Sequence, residues 1–511
     1  MPGKKCDLLI WGGGTGGTAA AMAACEQGLR TVMVEETHWV GGQLTAQAVP
    51  PDEHPWIEQF GCTARYRRYR EGVREYYRRH VPLTATARND RRLNPGGGWV
   101  SALCHDPSIG HAVLRDMLAE PIARELLDLR LFSRVMAVEA KAGRIRRVEI
   151  ENRLTGRRFT VEPRLVLDAT ELGDGIAAAG LPYVTGAESR RDTGEPHAPE
   201  EAQPANWQAF TWVFALAYDP RRREQSIPRP ETYDFWRAYQ PSFWPGPFLA
   251  LQDLHPHTNQ PRDIPMFSGR GISWFGYRQV VDPAYWTTPV HAATIVNWPM
   301  NDYLEGLAIG EGAEAAREGA RQLSLSLLYW LQTEAGFPGL YPAGHLTGTD
   351  DGFAKTPYYR ESRRIRALRT IVEADVASAL NPGLTVAPPM PRSVGVGCYR
   401  IDLHPSTGGD AYIDIGALPF QIPAEALVPE ADTNVLPAAK NIGTTHITNG
   451  CYRLHPVEWN IGEAAATLAA ESIATRRPVR DLVTTDDGFA GVRQRLRAQG
   501  VETEWPELRP V

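Results

Sequence analysis

Two stretches of the chain hold residues whose types and spacing point to chemistry. Near the N-terminus, Gly12-Gly13-Gly14-Thr15-Gly16-Gly17 is followed by Glu35, 23 positions after Gly12. Near the C-terminus, His446, Arg453 and His455 fall close together, with Asn449 between them and Asn460 just beyond. The glycines suit a phosphate ligand. Gly12 permits a tight turn, Gly14 lets the backbone approach a pyrophosphate, and Gly17 lets a helix pack close to a sheet. Thr15 and Gly16 would open that helix, whose N-terminus offers free N–H groups and partial positive charge. A carboxylate at Glu35 is in register for ribose hydroxyls. Histidine is the usual base for a departing proton near neutral pH.

These residues need elements to position them. Leu8-Leu9-Ile10 reads as a strand, the Ala-rich segment after Gly17 as a helix, and a second apolar run after Gly28 as a strand ending on Glu35. A glycine-rich turn alone is weak evidence; strand, turn, helix, strand and acid in order predict dinucleotide binding. Gly41-Gly42-Gln43 follows directly. A second glycine pair there points to FAD over a simple nicotinamide dinucleotide, because the chain must pass close to the ribityl–pyrophosphate part. The plainer reading is an ordinary turn.

Residues 129–168 predict three hairpin-linked strands, with turns at 141–143 and 154–156. A fourth strand, 164–168, leads into Ala169-Thr170-Glu171. Near the C-terminus, a loop over 441–455 precedes an evident helix with Pro456 in its first turn, where proline is tolerated. The dipole of such a helix stabilises negative charge on a reduced flavin.

At this point the chain resembles the FAD-dependent oxidoreductases with a glutathione-reductase-type FAD domain. More narrowly, it resembles a bacterial branch sometimes described as related to xanthan lyase. The matching pieces are GGGTGGTAAAMAA, VEETHWVGGQLTAQ, HPWIEQFG, DATELGD, PYYRESRRI and GTTHITNGCYRLHPVEWNIGEAAATLAA. Glu171 departs from the more usual Ala-Thr-Gly. The resemblance implies an α/β fold: a glutathione-reductase-type FAD-binding Rossmann domain with an inserted α+β substrate domain. It implies FAD contacts from Glu36, Val135, Ala169, Thr170, Asp174, Gly443, Asn460, Ile461 and Gly462, beside the glycines, Glu35 and Gln43. It also places His446 and His455 beside the flavin ring as candidate bases. Arg453 would anchor an anionic substrate or the charge of the reduced flavin.

The expected organisation is an FAD-binding first part over 1–185, an inserted substrate domain over 186–390, a second FAD-binding part over 391–480, and a tail over 481–511. The insert is dense in aromatics (Trp207, Trp212, Trp274, Phe275, Tyr277, Trp286, Trp298), as suits a polar, ring-shaped substrate. Helices are expected over about 311–335 and 360–380. The Arg-rich segment 66–80, interleaved with glutamates, reads as a solvated helix face. Gly310-Glu311-Gly312 is a poor second dinucleotide turn, because no good strand precedes it.

A net charge of −6 with 22% charged residues excludes a nucleic-acid footprint. No apolar run approaches a membrane span and no signal segment is seen, so a cytoplasmic location is expected. Six cysteines form no CxxC or CxxxxC pair, and no metal-like cluster of Cys and His appears, so buried free thiols are expected. His345, Asp350 and His404, in Gly-rich turns, are secondary candidates for chemistry. His38 or Cys62 would be the place for a covalent flavin, though non-covalent FAD is the default.

The leading expectation is a dehydrogenase or oxidase. It would move a hydride from CH–OH or CH–NH of a small polar substrate to flavin N5, with oxygen, a quinone or a carrier as acceptor. Rivals are a C=C reductase or desaturase, a monooxygenase, and a non-catalytic FAD-binding module. A homodimer fits the size.

Overall fold

The computed structural model of the protein describes residues 3–222, 226–268 and 272–506. Strand β1 (Lys4–Trp11) buries Leu8, Leu9 and Ile10 completely. It runs into a glycine turn, helix α1 (Thr15–Glu26) and the fully buried strand β2 (Thr31–Val34). Helices α2 (Ala64–His80) and α3 (Pro107–Met117) precede four strands: β3 (Leu127–Arg130), β4 (Ser133–Lys141), β5 (Arg144–Asn152) and β6 (Arg158–Asp168). The parallel core of the sheet runs β3-β2-β1-β6, with Leu8 level with Thr31 on one side and Leu165 on the other.

The meander differs from expectation in two ways. Its first piece is split: β3 joins the parallel edge beside β2, and only β4 turns back on β5. The third and fourth expected strands are one, the 11-residue β6. Its first half pairs antiparallel with β5; its second half pairs parallel with β13 (Val435–Pro437). The β4–β5 turn is where expected, with Ala142 and Gly143 both at positive φ (49° and 75°), as a tight hairpin turn requires.

The segment between these parts carries a four-stranded antiparallel sheet, in the order β8 (Gln279–Val281), β9 (Ala292–Val296), β7 (Phe214–Tyr218), β10 (Leu340–Pro342). Helix α4 (Ala313–Thr333) covers an aromatic core with Leu323, Leu327, Leu328 and Leu331. Trp207, Trp274, Phe275 and Trp298 belong to that core, whereas Trp212, Tyr277 and Trp286 are only partly covered. Strands β11 (Ile401–Leu403) and β12 (Ile413–Ile415) form a hairpin. The C-terminal part adds helices α5 (His446–Tyr452), α6 (His455–Thr475) and α7 (Asp486–Ala498).

Four other expectations are corrected. Residues 360–380 form no helix; they contain a short strand (Arg364–Ile365) and two 3₁₀ turns. Their N–H groups are committed elsewhere: Ile365 donates to the Asn441 carbonyl, Leu368 to Val428 and Ile371 to Gly443. The face of α2 is not simply solvated. Arg65, Arg70 and Arg74 are buried against Glu463, Glu53 and Glu58. The expected loop at 446–452 is helix α5, capped by the Thr445 hydroxyl on the Thr448 N–H. Nor do the described residues 481–506 trail as a tail, because α7 buries Phe489, Val492 and Leu496 in the core that also takes in the apolar residues of α1 and α6.

Helices α1 and α6 pack with their backbones in close contact. A Cβ on Gly462 would stand 2.0 Å from the Gly16 carbonyl oxygen, and one on Gly16 would stand 1.9 Å from that of Ala438. No side-chain rearrangement relieves a backbone clash. Gly462→Ala is therefore expected to destabilise the protein by about 3 kcal/mol or more, at or beyond the usual range for overpacking. Gly246→Ala, with nothing within 4 Å of the new methyl, should leave the melting temperature nearly unchanged. Thermal denaturation of the two variants checks this.

Candidate functional site

The glycine turn is built by sterics. Gly12 has φ of 107°, and a Cβ there would lie 2.3 Å from the Ala169 carbonyl oxygen. Gly17 abuts the Gly12 carbonyl, so the helix begins hard against the strand end. Gly14 caps α1 in an extended conformation, with no side-chain cap and no acid in the first turn. That leaves the helix terminus suited to an anion. Gly41 and Gly42 both have positive φ, and the Thr15 hydroxyl donates to the Gly41 carbonyl at 2.8 Å. Glu35 accepts the N–H groups of Gly13 (2.9 Å) and Thr37 (2.8 Å). Burial raises its pKa against those bonds.

These groups border a cavity of about 650 Å³. Glu35, Glu36, Arg134 and Arg153 line it, and Arg153 donates to the Glu36 carbonyl. Ala46, Gln47, Trp212 and Lys355 line it too; the Lys355 N–H donates to the Ala46 carbonyl at 2.8 Å. Gln47 is 1% exposed and its Oε1 has no partner, so a polar atom faces the cavity unsatisfied. Such an atom calls for a ligand or water. Lys355 lies over the Trp39 ring at 4.2 Å, and burial brings its pKa down to about 8.

Of the residues expected to bind a cofactor, Gly12, Gly14, Glu35, Glu36, Gly42, Ala169, Thr170 and Asp174 line this cavity. Val135 sits in β4 paired with Ile150, beside Ser133 and Arg134, which line the cavity. Gln43 bridges the Glu458 carboxylate (2.8 Å) and the Arg453 carbonyl (3.1 Å). The others are placed apart. Gly16 and Gly462 form the helix crossing, Gly443 packs on Ala367, Ile461 is core, and Asn460 donates to the Val394 carbonyl. Glu171 lines the cavity and pairs with buried Lys440, which also reaches Glu458 at 3.6 Å.

Outside that lining lies a chain of charged and phenolic side chains. His455, at the start of α6, accepts the Asp52 N–H on Nδ1 (3.0 Å), and its Nε2 makes no hydrogen bond. Burial, with Arg453 beside it, lowers its pKa to about 3, so the ring is neutral. Arg453 donates to the Tyr358 hydroxyl (2.7 Å) and the Asp402 carbonyl (2.9 Å). The Asp52 carboxyl is pushed up to about 6 by burial, against Arg278 and Arg453 and a hydrogen bond from Tyr399. Arg278 stacks on Tyr277 and Trp298, with Nη1 unpartnered. Asp52, Arg278, Tyr399, Arg360 and Asp302 carry no local sequence signal, whereas His404 is one of the secondary candidates; their partners come from distant segments.

His446 stands elsewhere. Its N–H donates to Glu188 and its Nδ1 meets Glu361 at 3.0 Å; Glu361 also pairs with Arg364. Burial lowers its pKa, but Glu361 overrides this and the net shift is upward. This network fastens Glu361 and Arg364 to α5, and none of its residues is in the cavity lining.

A parallel sheet with a glycine turn, an acid ending the second strand and an antiparallel meander defines a dinucleotide-binding oxidoreductase of the Rossmann type. The sequence profile of the FAD dependent oxidoreductase family matches residues 7–496, and the chain belongs to that family. Its cofactor is FAD. No curated protein matches the chain significantly. Among solved structures, a myxobacterial chondrochloren halogenase is similar at 14% identity, covering 97% of this chain and 79% of its own, with a TM-score of 0.33. A geranylgeranyl bacteriochlorophyll reductase-like protein from Thermoplasma acidophilum is 12% identical, with 98% and 85% covered and a TM-score of 0.33. A p-nitrophenol 4-monooxygenase from Pseudomonas putida is 13% identical, with 42% and 48% covered and a TM-score of 0.23. Among the described residues no helix is long and apolar enough to cross a membrane, and no cluster of three or more metal-ligating side chains occurs.

Two outcomes follow. Glu35→Ala should weaken FAD binding about 10–100-fold, the worth of hydrogen bonds to a charged group; fluorescence titration with FAD measures it, and an unchanged Kd contradicts the assignment. His446→Gln removes one partner of a buried pair and should cost about 3–5 kcal/mol. Because the His446 pKa is raised, its stabilisation is full below the unfolded pKa and fades as pH rises through the folded one. Denaturant titration across pH checks both magnitude and sign.

Proposed function

We propose that the chain is an FAD-dependent dehydrogenase or oxidase acting on CH–OH or CH–NH of a small polar molecule, with its FAD domain of the glutathione-reductase type. The observation that carries this reading is the chain of acid–base and phenolic side chains that links Asp52, His455, Arg453 and Tyr358. FAD, when bound, supplies the hydride acceptor. Glu35 and the glycine turn would hold its nucleotide half. Gln47, with its unpartnered Oε1, would hold the other half. His455 would meet it too: with Nδ1 accepting the Asp52 N–H, the ring carries its proton on Nε2, a fixed and unspent donor. The start of α6 adds its dipole in the same place.

The remaining residues supply substrate binding and proton handling. Arg453 and Arg278 bring positive charge, and Asp52 and Asp402 bring carboxylates. Tyr277, Tyr358 and Tyr399 offer hydroxyls and ring faces to a polar substrate. Gly310 lines the FAD cavity itself, which favours oxygen, a quinone or a carrier as acceptor over a separate nicotinamide site.

An anaerobic screen of sugars, polyols, amines and amino acids, then NADH and NADPH, tests the reading. Bleaching of the oxidised-flavin band by an alcohol or amine is expected. Bleaching by NADH or NADPH alone would replace the proposal with a reductase or monooxygenase.

A further inference from the structure

Among the described residues, five histidines lie within reach of a carboxylate: His197, His257, His291, His404 and His446. The side chains of His197, His257 and His291 are 49%, 49% and 36% exposed, so water screens those pairs. His446 is 4% exposed on a sealed Glu361. His404 alone combines a fully buried partner with an imidazole still 12% exposed. Its Nδ1 stands 2.6 Å from Asp302 Oδ2.

Asp302 is itself fixed from two directions. The Thr211 hydroxyl donates to it, and the buried Arg360 guanidinium lies 3.1 Å away. Burial disfavours its charge, but Arg360 and His404 prevail and hold its pKa below the ordinary carboxylate value. An ionised carboxylate only accepts, so Nδ1 carries the hydrogen and the neutral ring leaves Nε2 as a bare lone pair. The ring is neutral near pH 7, because burial and then Arg360 lower its pKa.

The dyad is joined to the site by direct contacts. Arg360 lies over the Tyr358 ring at 4.9 Å, and the Tyr358 hydroxyl accepts from Arg453, two residues before His455. His404 follows β11, whose Asp402 is gripped by the same Arg453. Tyr412 meets the imidazole edge-on.

We propose that His404, oriented by Asp302, is the base that takes the substrate's hydroxyl or amine proton; this rests on the dehydrogenase or oxidase reading. The step balances. The substrate C–H bond breaks with its electron pair passing as hydride to FAD, the O–H or N–H bond breaks with its proton passing to Nε2, and C=O or C=N forms. Substrate is oxidised by two electrons and FAD is reduced by two. Asp302 is a positioning residue, setting the tautomer and stabilising the imidazolium.

The test is anaerobic stopped-flow reduction of the holoenzyme by whichever alcohol or amine bleaches it. His404→Asn and His404→Gln should retain FAD yet reduce about 10²–10⁴-fold more slowly. In the wild type the rate should fall as pH drops through the His404 pKa, below 6.5. The groups facing the ring are Asp302, Arg360, Asp402 and Tyr412, with Asp253 and Arg262 behind Tyr412. Asp302→Asn should move this limb to lower pH and slow the plateau, and Asp302→Glu should restore part of both. Wild-type reduction whose rate shows no acid limb anywhere below pH 6.5 overturns the proposal without any variant. So does full-rate reduction in either His404 variant. Failure of the parent reading looks different: the wild type is then bleached by no alcohol or amine, and the base falls with it.

Discussion

The structure depends on how closely α1 and α6 cross. Gly462 meets the Gly16 backbone, which only the absence of its Cβ allows, and Gly16 abuts the Ala438 carbonyl for the same reason. The crossing brings segments from opposite ends of the chain together. The Gly16 N–H lies 3.5 Å from Glu458 Oε1, and the start of α6 comes to rest behind the nucleotide turn. The same contact that closes the core therefore brings Glu458, three residues after His455, against the glycine turn.

Buried ion pairs then lock the remaining segments to that core. Arg65 ties α2 to Glu463 of α6, Lys440 ties the stretch after β13 to Glu171 and Glu458, and Arg360 ties 358–364 to Asp302. Arg364 and Glu361 fasten the same stretch to His446 and Glu188. Each pair costs desolvation that its attraction only roughly repays. Their value is specificity: a segment docked in the wrong place would leave a charge buried and alone.

The legible part of the sequence is the part governed by local backbone rules. The glycines of the first turn, Glu35 at the end of β2, the Ala142-Gly143 hairpin and Pro456 at the start of α6 each leave a mark within a few residues. What escaped reading depends on partners far along the chain. The buried arginines of α2 look like a solvated face because Glu463 lies 398 positions from Arg65. Residues 360–380 carry helix-forming composition, yet their N–H groups are drawn to Asn441, Val428 and Gly443. His446 was singled out for its neighbours in sequence but is held by Glu361. His404 stands in the sequence as a secondary candidate from a Gly-rich turn, but its partner Asp302 lies 102 positions away. Asp52 and His455 are 403 positions apart and touch.

The account stands on FAD occupying the cavity between the glycine turn and Gln47. The most direct measurement is the flavin stoichiometry of the purified protein, before and after titration with FAD, followed by acid precipitation. One FAD per chain, released into the supernatant, is the predicted result. Protein that carries no flavin and takes up none would contradict the account.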